Sequence, residues 1–475
     1  MDNLSTFLEE NIKIIMDVFK GDDTLSLRRF TNKYDSNLSF ALFYINGMAD
    51  NKTIDGSILE NLMHNKIVSP NSNTIDYLIT QVIPSCSCEK TSDISKIILG
   101  IIDGNSIIFL DGYEESIIVN SQGFKTRAIE ESTSEKTLTG PREAFTESLM
   151  INLSLLRRKL RTKNLKFQFK TIGTISNTKI CISYIEGRAN EEQLKELNRR
   201  LDKINIDGIL GIKYIQELID DKPYSFFEVS GNTEKPDTLA SKLLEGKIAI
   251  FQDGTPVVGT IPYIFIEYFQ TAEDYYLNYY FASIGRMLRM LAFFFTTSAP
   301  AIYLVLVTYH QQSIPTSLLL SIFAARQGVP FPTVVELILS LLVFEILREA
   351  GTRMPTSIGQ ALSIVGALVL GTSAVQARIV SMPTIIITGF AGITALMIPN
   401  LSGAFIIIRI IFILLSSILG LYGYLIGVMG LLLHLCHLKS YDTPFMATLP
   451  SLYSKDLKDT YFRGPRWVTK NKKDD

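Results

Sequence analysis

Residues 354–377 read MPTSIGQALSIVGALVLGTSAVQA and contain no charged side chain. Two further uncharged stretches follow, residues 379–408 and residues 410–438, and single arginines separate the three. Each stretch is longer than the roughly 20 residues that a helix needs to cross a hydrocarbon core about 30 Å thick. A fourth uncharged stretch covers residues 290–309. The second half of the chain is therefore predicted to be a polytopic, all-α membrane domain.

The distribution of charge divides the 475 residues into a soluble head and an apolar part. Residues 290–438 contain only eight charged residues, whereas residues 1–289 have the composition of a soluble protein. The net charge of −1 gives no argument for nucleic acid as a partner. We predict an α/β subdomain, a second α/β subdomain with a juxtamembrane connector, a transmembrane domain of about four to six helices and a basic cytoplasmic tail, at residues 1–90, 91–285, 286–438 and 439–475.

Basic residues flank the apolar part on both sides. Arg286 and Arg289 precede the first predicted span, and the tail after residue 438 is rich in lysine and arginine. Because cytoplasmic flanks collect these residues, both ends are predicted to be cytoplasmic, which requires an even number of spans. The 37 residues 402–438 are too long for one ordinary span. Read as a hairpin they give six spans, and read as one long bent helix they give four.

Two shorter segments complete the predicted membrane domain. Residues 331–347 are predicted to be the second span, although Glu336 and Glu345 interrupt them. Residues 317–326 are apolar but too short to cross, which is typical of a helix lying at the membrane interface.

An internal repeat organises the head. The sequence FYINGMAD at residues 43–50 recurs in form as SYIEGRAN at residues 183–190. Each copy ends a strand-like run and precedes a helix-like pattern, with Asn190 as a predicted N-cap. The pattern predicts two related α/β subdomains. Between the copies, residues 96–102, 106–111 and 115–120 alternate like strands and predict a β-meander that opens the second subdomain.

Several sequence blocks, in order, carry a resemblance to a known family. They are GPREAFTE at residues 140–147, DGTP at 253–256, EDYY at 273–276, FEILREAG at 344–351 and IVGALVLG at 364–371. The chain resembles the A subunit of bacterial spore germinant receptors over nearly its whole length. In the first block, the resemblance marks Arg142, Glu143 and Glu147 as motif residues of the head.

The resemblance implies a function in the germination of dormant spores. It implies a location in the spore inner membrane, beside a permease-like B subunit that recognises nutrients and a lipoprotein C subunit. It further implies that several A subunits assemble into a nutrient-gated ion channel and form its pore. No enzymatic activity and no cofactor are implied.

The helix predicted at residues 356–375 is the least lipid-like of the spans, which makes it the candidate pore helix. Its small and weakly polar residues lie on one face, where copies of the helix could surround a narrow lumen. The alternative is that small residues only let helices pack closely. The candidate pore-lining residues are Gln360, Ser363, Ala367, Leu370 and Gly371.

Charged residues precede this helix. Glu336 and Glu345 are nine residues apart, on opposite sides of a helix with about 100° per residue, so they are not expected to share a site. The candidates for coupling the head to the pore helix are Glu336, Glu345, Arg348, Glu349 and Arg353. The alternative is a set of interfacial ion pairs that fix the helix end. The isolated arginines 378 and 409 are predicted to mark helix ends rather than to line a pore.

Other classes of function remain as alternatives. A solute transporter would show inverted repeats with two interrupted spans, and we find no such pair. A non-conducting scaffold subunit would use the same small-residue helices. An enzyme is not indicated, since the sequence contains no phosphate-binding loop and no catalytic or metal-binding constellation. The four cysteines are predicted to be unpaired thiols. The basic run at residues 157–161 is predicted to be a solvated face, or else a contact to a partner or to lipid headgroups.

Overall fold

The computed structural model describes residues 4–35, 38–67, 74–84, 87–123, 139–353, 371–446 and 461–465, together with Glu135 and Thr137. The chain forms two compact units. The α/β unit consists of described residues from the segments Met1–Pro223, Ser230–Tyr263 and Ser440–Asp442. The helical unit consists of those from Tyr224–Val229, Ile264–Lys439 and Thr443–Asp475.

The α/β unit contains two five-stranded sheets with the same topology. The first sheet has the order β1-β2-β4-β5-β3 and the second has the order β6-β7-β9-β10-β8. All neighbouring strands are antiparallel. The strands are β1 Leu25–Thr31, β2 Ser39–Ile45, β3 Cys88–Thr91, β4 Ser106–Leu110, β5 Ser116–Val119, β6 Leu165–Ile172, β7 Thr178–Ile185, β8 Gly231–Thr233, β9 Ile248–Gln252 and β10 Val258–Ile261. The predicted duplication is therefore confirmed.

Helices cover the faces of both sheets. They are α1 Leu8–Val18, α2 Glu60–His64, α3 Thr74–Tyr77, α4 Ile94–Ile102, α5 Leu149–Lys159, α6 Glu191–Leu201, α7 Ile212–Ile219 and α8 Pro236–Leu244, with π-helical turns at Thr53–Leu59 and Leu78–Val82. Alternate residues of β2 point to opposite faces, as a strand requires. Phe40 and Leu42 enter one core, and Ala41 and Phe43 enter the other, which contains α1 and α4. Each sheet thus lies between two apolar layers.

The duplication extends to individual hydrogen bonds. In the first repeat, the N–H of Leu8 at the start of α1 donates to Asp111 Oδ1 at 3.0 Å. In the second, the N–H of Leu149 at the start of α5 donates to Asp253 Oδ1 at 3.0 Å. Each aspartate belongs to the Asp-Gly turn between the last two strands in sequence of its repeat. The turn chemistry that closes each hairpin therefore also satisfies an otherwise unpaired N–H at a helix start.

The boundary between the two subdomains differs from the prediction. Residues 96–102 belong to α4 rather than to a strand, and Asp93 caps that helix by accepting from Ser95 N–H at 2.8 Å. Strands β4 and β5 complete the first sheet, so the meander does not open the second subdomain. A boundary between residues 90 and 91 would cut β3. A short run of isoleucines fits both periodicities, which is why the prediction of a strand was wrong.

The helical unit contains the helices that follow the head. They are α9 Tyr279–Thr308, α10 Thr316–Arg326, α11 Thr333–Arg353, α12 Met382–Ala395, α13 Ser402–Leu419 and α14 Leu421–His437, with short 3-10 turns at Phe265–Phe269, Ala272–Tyr275, Gln311–Ser313 and Pro399–Leu401. A two-stranded hairpin follows, with β11 Lys439–Ser440 and β12 Thr443–Pro444. Among the described residues, two helices, Tyr279–Thr308 and Pro399–Leu419, are long and apolar enough to cross a membrane.

Residues 402–438 form two helices rather than one. Gly420 separates α13 from α14 with a φ of +58°, which favours glycine. The two helices then pack closely, since a Cβ atom on Gly423 would lie 2.0 Å from the carbonyl oxygen of Leu415. The rings of Phe412 and Tyr424 meet edge to face with centroids 5.7 Å apart. The hairpin reading is confirmed, and the single bent helix is wrong.

Candidate functional site: buried ion pairs among the helices

Arg409 joins four helices of the helical unit. It lies in the middle of α13 and is only 2% exposed, so the prediction that it marks a helix end is wrong. Its Nε donates to the carbonyl oxygen of Thr296 on α9 at 2.9 Å, and its Nη2 donates to that of Ala391 on α12 at 3.0 Å. Its Nη1 donates to Glu345 Oε1 on α11 at 3.1 Å. One planar guanidinium therefore holds three neighbouring helices at fixed distances.

A proline explains why the carbonyl of Thr296 is available. Pro300 lies inside α9, four residues after Thr296. Because proline has no N–H, the usual helical hydrogen bond to Thr296 cannot form. The Nε of Arg409 supplies the missing donor. The interruption in α9 and the buried charge on α13 thus complement each other.

Glu345 lies between two guanidinium groups. Besides Arg409, its carboxylate contacts Arg348 Nη2 at 2.7 Å, one turn further along α11. Glu349 and Arg353 form a separate pair at 2.6 Å, with both side chains largely exposed. The predicted coupling residues are therefore divided into a half-buried pair, extended by Arg409, and a surface pair that contributes little to stability.

Glu336 belongs to a second buried cluster. The side chain is fully buried and accepts from the N–H and hydroxyl of Ser381 at 2.9 and 2.6 Å. It also accepts from Thr384 Oγ1 at 3.2 Å and faces Arg326 Nη2 at 3.5 Å. Ser381 is the N-cap residue of α12, so the carboxylate lies at the positive end of that helix. Glu336 thus joins α10, α11 and α12, apart from Glu345.

Replacing Glu336 by glutamine tests this cluster. The amide keeps the shape of the side chain but loses the charge that binds Arg326 and the helix end. We expect the helical unit to lose about 2 kcal/mol, the typical value of a hydrogen bond to a charged group. Thermal unfolding of the full-length protein in detergent measures the loss. Glu349→Gln, on the exposed face of the same helix, is the matched control and should change stability by less than about 0.5 kcal/mol. Equal effects would contradict the structural role.

Most of the predicted pore face lies outside the described residues. This applies to Gln360, Ser363, Ala367 and Leu370. Gly371 is the first described residue of a helical stretch, residues 371–376. That stretch ends before residue 378, an arginine with a φ of +55°, which therefore lies at a helix end as predicted.

The head motif of the second repeat lies just before α5. The two carboxylate oxygens of Glu143 are 3.4 Å from Arg158 Nη1 and 3.1 Å from Lys159 Nζ. The side chains of Arg142 and Glu147 are exposed. Glu143 thus fixes the segment that leads into α5 against the last turn of that helix.

The basic run of α5 is only partly solvated. Arg157 is 1% exposed, and its Nη2 donates to Asp22 Oδ2 at 2.6 Å and to Thr24 Oγ1 at 3.2 Å. Its guanidinium lies over the ring of Phe167 at 4.8 Å. Asp22 and Thr24 belong to the first repeat, whereas Arg157 and Phe167 belong to the second. The prediction of a solvated face is therefore wrong for Arg157, which connects the two repeats.

The sequence contained signals for some of these contacts. A proline and a lone arginine, each inside an apolar run, indicate an unpaired carbonyl and a buried donor, as Pro300 and Arg409 show. The hydroxyl partners of Glu336 had no such signal, because serine and threonine are common on apolar helices. The cysteines at positions 181 and 436 are free thiols, as predicted, and burial raises the pKa of the Cys181 thiol. Position 86 lies outside the described residues. Among those described, no group of histidine, cysteine, aspartate and glutamate side chains could hold a metal ion.

The fold and the site together define a class of protein. A duplicated α/β head is followed by apolar helices in which Arg409 and Glu336 are buried among hydrogen-bond partners, an organisation typical of a membrane-associated protein with a large α/β head. A family model described as Bacillus/Clostridium GerA spore germination protein matches residues 13–474. The chain therefore belongs to the GerA family, the A subunits of spore germinant receptors, and has a role in spore germination.

The chain is also similar to individual proteins. The chain is 39% identical to "Spore germination protein KA" of Bacillus subtilis over 98% of its length and 86% of the relative. It is 37% identical to "Uncharacterized membrane protein YfkQ" of the same species, over 98% of this chain and 90% of the relative. A solved structure, the N-terminal domain of the A subunit of the Bacillus megaterium germinant receptor GerK3, is 30% identical with a TM-score of 0.45, covering 55% of this chain and 97% of that one.

Proposed function

We propose that this protein is the pore-forming subunit of a nutrient-gated ion channel in the spore inner membrane. In this proposal the helical unit spans the membrane several times and the α/β unit faces the spore core. Several copies assemble around the helix that the sequence predicts at residues 356–375. A permease-like B subunit and a lipoprotein C subunit complete the receptor and supply the nutrient specificity. The protein itself performs no catalytic step.

The polarity of the helical unit is the observation that carries the membrane location. Arg409 and Glu336 are buried at 2% and 0% exposure, whereas Ile418 and Leu433 are 73% and 69% exposed. Soluble proteins bury large apolar side chains and expose charges, while lipid-exposed surfaces reverse that pattern. An apolar exterior around buried, hydrogen-bonded charges supports helices that are surrounded by lipid.

The proposed orientation rests on the basic flanks. Arg286 and Arg289 near the start of α9 contact Asp274 at 3.1 and 2.5 Å, so these charges are held in a fixed arrangement. The basic tail lies at the opposite end of the helical sequence. Both flanks are typical of the side that retains lysine and arginine during insertion.

The proposed gating path runs through α11. Glu345 and Arg348 lie on this helix shortly before the pore candidate in sequence, and Glu345 is bound to Arg409. A displacement of α11 would have to break or carry along the ion pair with α13. This arrangement supports a role of the pair in linking a movement of α11 to the helix that follows.

Ion flux tests the pore. Membranes containing this protein with its receptor partners are compared with membranes containing Ser363→Leu or Ala367→Leu, before and after addition of nutrient. We expect nutrient-triggered flux that falls by an order of magnitude or more in these variants, because each adds bulk to the proposed lumen. Val365→Phe, on the opposite side of the predicted helix, adds comparable bulk away from the proposed lumen and should leave the flux unchanged.

The outcomes separate the alternatives. Flux that is indifferent to Ser363→Leu and Ala367→Leu would place the conducting path elsewhere. Flux of one solute in the absence of partners would favour a transporter. No flux at all, with assembly intact, would favour a scaffold subunit that does not conduct.

A further inference from the structure

The hairpin Lys439–Pro444, here called the Tyr441 hairpin, follows α14 directly. Its two central residues, Tyr441 and Asp442, have φ values of +49° and +62°. Positive φ at both central positions is the requirement of a type I′ turn, which strongly favours Asn-Gly and related pairs. A tyrosine in this position contradicts the local preference. Such violations are expected where another contact compensates for them.

The compensating contacts lie in the second α/β repeat. Tyr441 is 1% exposed and packs into the apolar core beside α6 and α7. Its N–H donates to Asp221 Oδ2 at 3.0 Å, and its carbonyl oxygen accepts from Gln193 Nε2 at 3.2 Å. The guanidinium of Arg200 lies 4.7 Å from the ring centroid. The second repeat therefore contacts the ring, the N–H and the carbonyl oxygen of Tyr441, as a peptide-binding site contacts its peptide.

Arg200 is held rigidly beneath the ring. It donates to the carboxylates of Glu196 and Asp221 and to the carbonyl oxygen of Ile219. Hydrogen bonds from Arg199 and Arg200 lower the pKa of Glu196 to about 2, so this carboxylate stays ionised at physiological pH. Burial raises the pKa of Tyr441, which keeps the phenol neutral. We call Gln193, Glu196, Arg200 and Asp221 the Tyr441 seat.

The seat is an addition to the duplicated fold. Asn190 in the second repeat corresponds to Asp50 in the first, a separation of 190 − 50 = 140 residues. At the same separation, the first repeat has Thr53, Gly56 and Glu60 where the seat has glutamine, glutamate and arginine. The first repeat therefore folds without such a set of residues. The seat is not needed to build the sheet and its helices.

We propose that the Tyr441 hairpin is a releasable latch that binds the chain after α14 to the second repeat and holds the receptor in its resting state. The latch is intramolecular, and its occupant is the segment Ser440–Asp442. Since only two residues separate Ser440 from the last residue of α14, release of Tyr441 would free that helix end. The turn conformation is unfavourable for its residues and would relax on release. The proposal does not require the chain to conduct ions.

The test uses a variant that keeps the hairpin but removes the ring. Tyr441→Asn/Asp442→Gly introduces the pair that type I′ turns prefer and leaves the seat empty. In the full-length protein, we expect faster hydrogen exchange in peptides covering α6, α7 and residues 438–446. In spores, we expect germination at nutrient concentrations lower by about fivefold or more, the usual size of a coupling between sites. Asp442→Gly alone is the matched control, because Asp442 is exposed and the ring remains.

A second pair of variants acts from the opposite side. Arg200→Met removes the cation beneath the ring, whereas Arg199→Met removes an exposed neighbour that also pairs with Glu196. Only the first should accelerate exchange around Tyr441 and lower the nutrient requirement. Unchanged exchange in Tyr441→Asn/Asp442→Gly would show that the seat does not hold the segment. Faster exchange with an unchanged or higher nutrient requirement, or an equal shift in Asp442→Gly, would overturn the regulatory role. The ion-flux measurements on Ser363→Leu and Ala367→Leu test the proposed channel and do not test the latch.

Discussion

Replacing Arg409 by methionine is expected to destabilise the helical unit by about 3–5 kcal/mol, the cost of leaving one partner of a buried ion pair alone. The carbonyl oxygen of Thr296 would lose its donor, that of Ala391 would lose Arg409 but keep the Thr394 hydroxyl, and Glu345 would retain only Arg348. A carbonyl freed by proline has no alternative partner inside an apolar helix bundle. We therefore expect the variant to accumulate poorly in spores and to abolish the germination that depends on this receptor.

Thermal unfolding of the purified full-length protein, together with its level in spore membranes, measures this effect. Arg378→Met is the matched control, because that arginine is exposed at a helix end. Arg409→Lys separates charge from geometry. A lysine ammonium retains the charge but cannot present the planar fork that reaches three helices. Lysine is expected to restore only part of the stability, and a variant indistinguishable from wild type would show that charge alone suffices.

The double variant Glu345→Gln/Arg409→Met tests the ion pair itself. If the main cost of Arg409→Met is the isolated carboxylate, neutralising Glu345 should recover part of the lost stability. If the main cost is the freed carbonyl of Thr296, the double variant should be no better than the single one. In that case Pro300→Ala, which restores the N–H, should rescue Arg409→Met instead.

Local patterns predicted much of the head. The two Tyr-Ile-x-Gly motifs located the strands β2 and β7 and the helical segments that follow them, because strand alternation and a cap residue act over a few positions. The N-cap at Asn190 is confirmed by its acceptance from the N–H of Glu192 at 2.8 Å. The prediction of a strand at residues 96–102 was wrong because the isoleucines there fit the periodicity of a strand and that of a helix equally well. Pairing of β5 with β3 decides the sheet order, and no local pattern contains that information.

The contacts of the candidate site were harder to predict because they join residues far apart in sequence. Glu345 and Arg348 are one turn apart on α11, a spacing at which side chains are neighbours. Their partner Arg409 is 64 residues from Glu345, and sequence position alone suggested a helix end. The contact of Tyr441 was hidden for a different reason. A tyrosine at a turn that favours asparagine indicates a tertiary contact, but the sequence alone does not show that the turn is of this type.

The second large effect is expected at the ion pair that joins the two repeats. Asp22 and Arg157 are 0% and 1% exposed in their side chains and 2.6 Å apart. Asp22→Ala would leave a buried guanidinium with Thr24 and the face of Phe167 as its neighbours. We expect the α/β unit to lose about 3–5 kcal/mol of stability, which corresponds to a fall of about 10 °C in its melting temperature. Circular dichroism and hydrogen exchange of the full-length protein measure the change.

A surface pair and a double variant distinguish burial from simple charge loss. Glu9→Ala removes the partner of Arg29 from an exposed pair and should cost less than about 1 kcal/mol. Asp22→Leu/Arg157→Met replaces the buried pair by apolar groups, and such exchanges are often neutral. We therefore expect the double variant to be more stable than Asp22→Ala. If the two are equally unstable, the packing of Arg157 on Phe167, rather than its charge, would hold the repeats together.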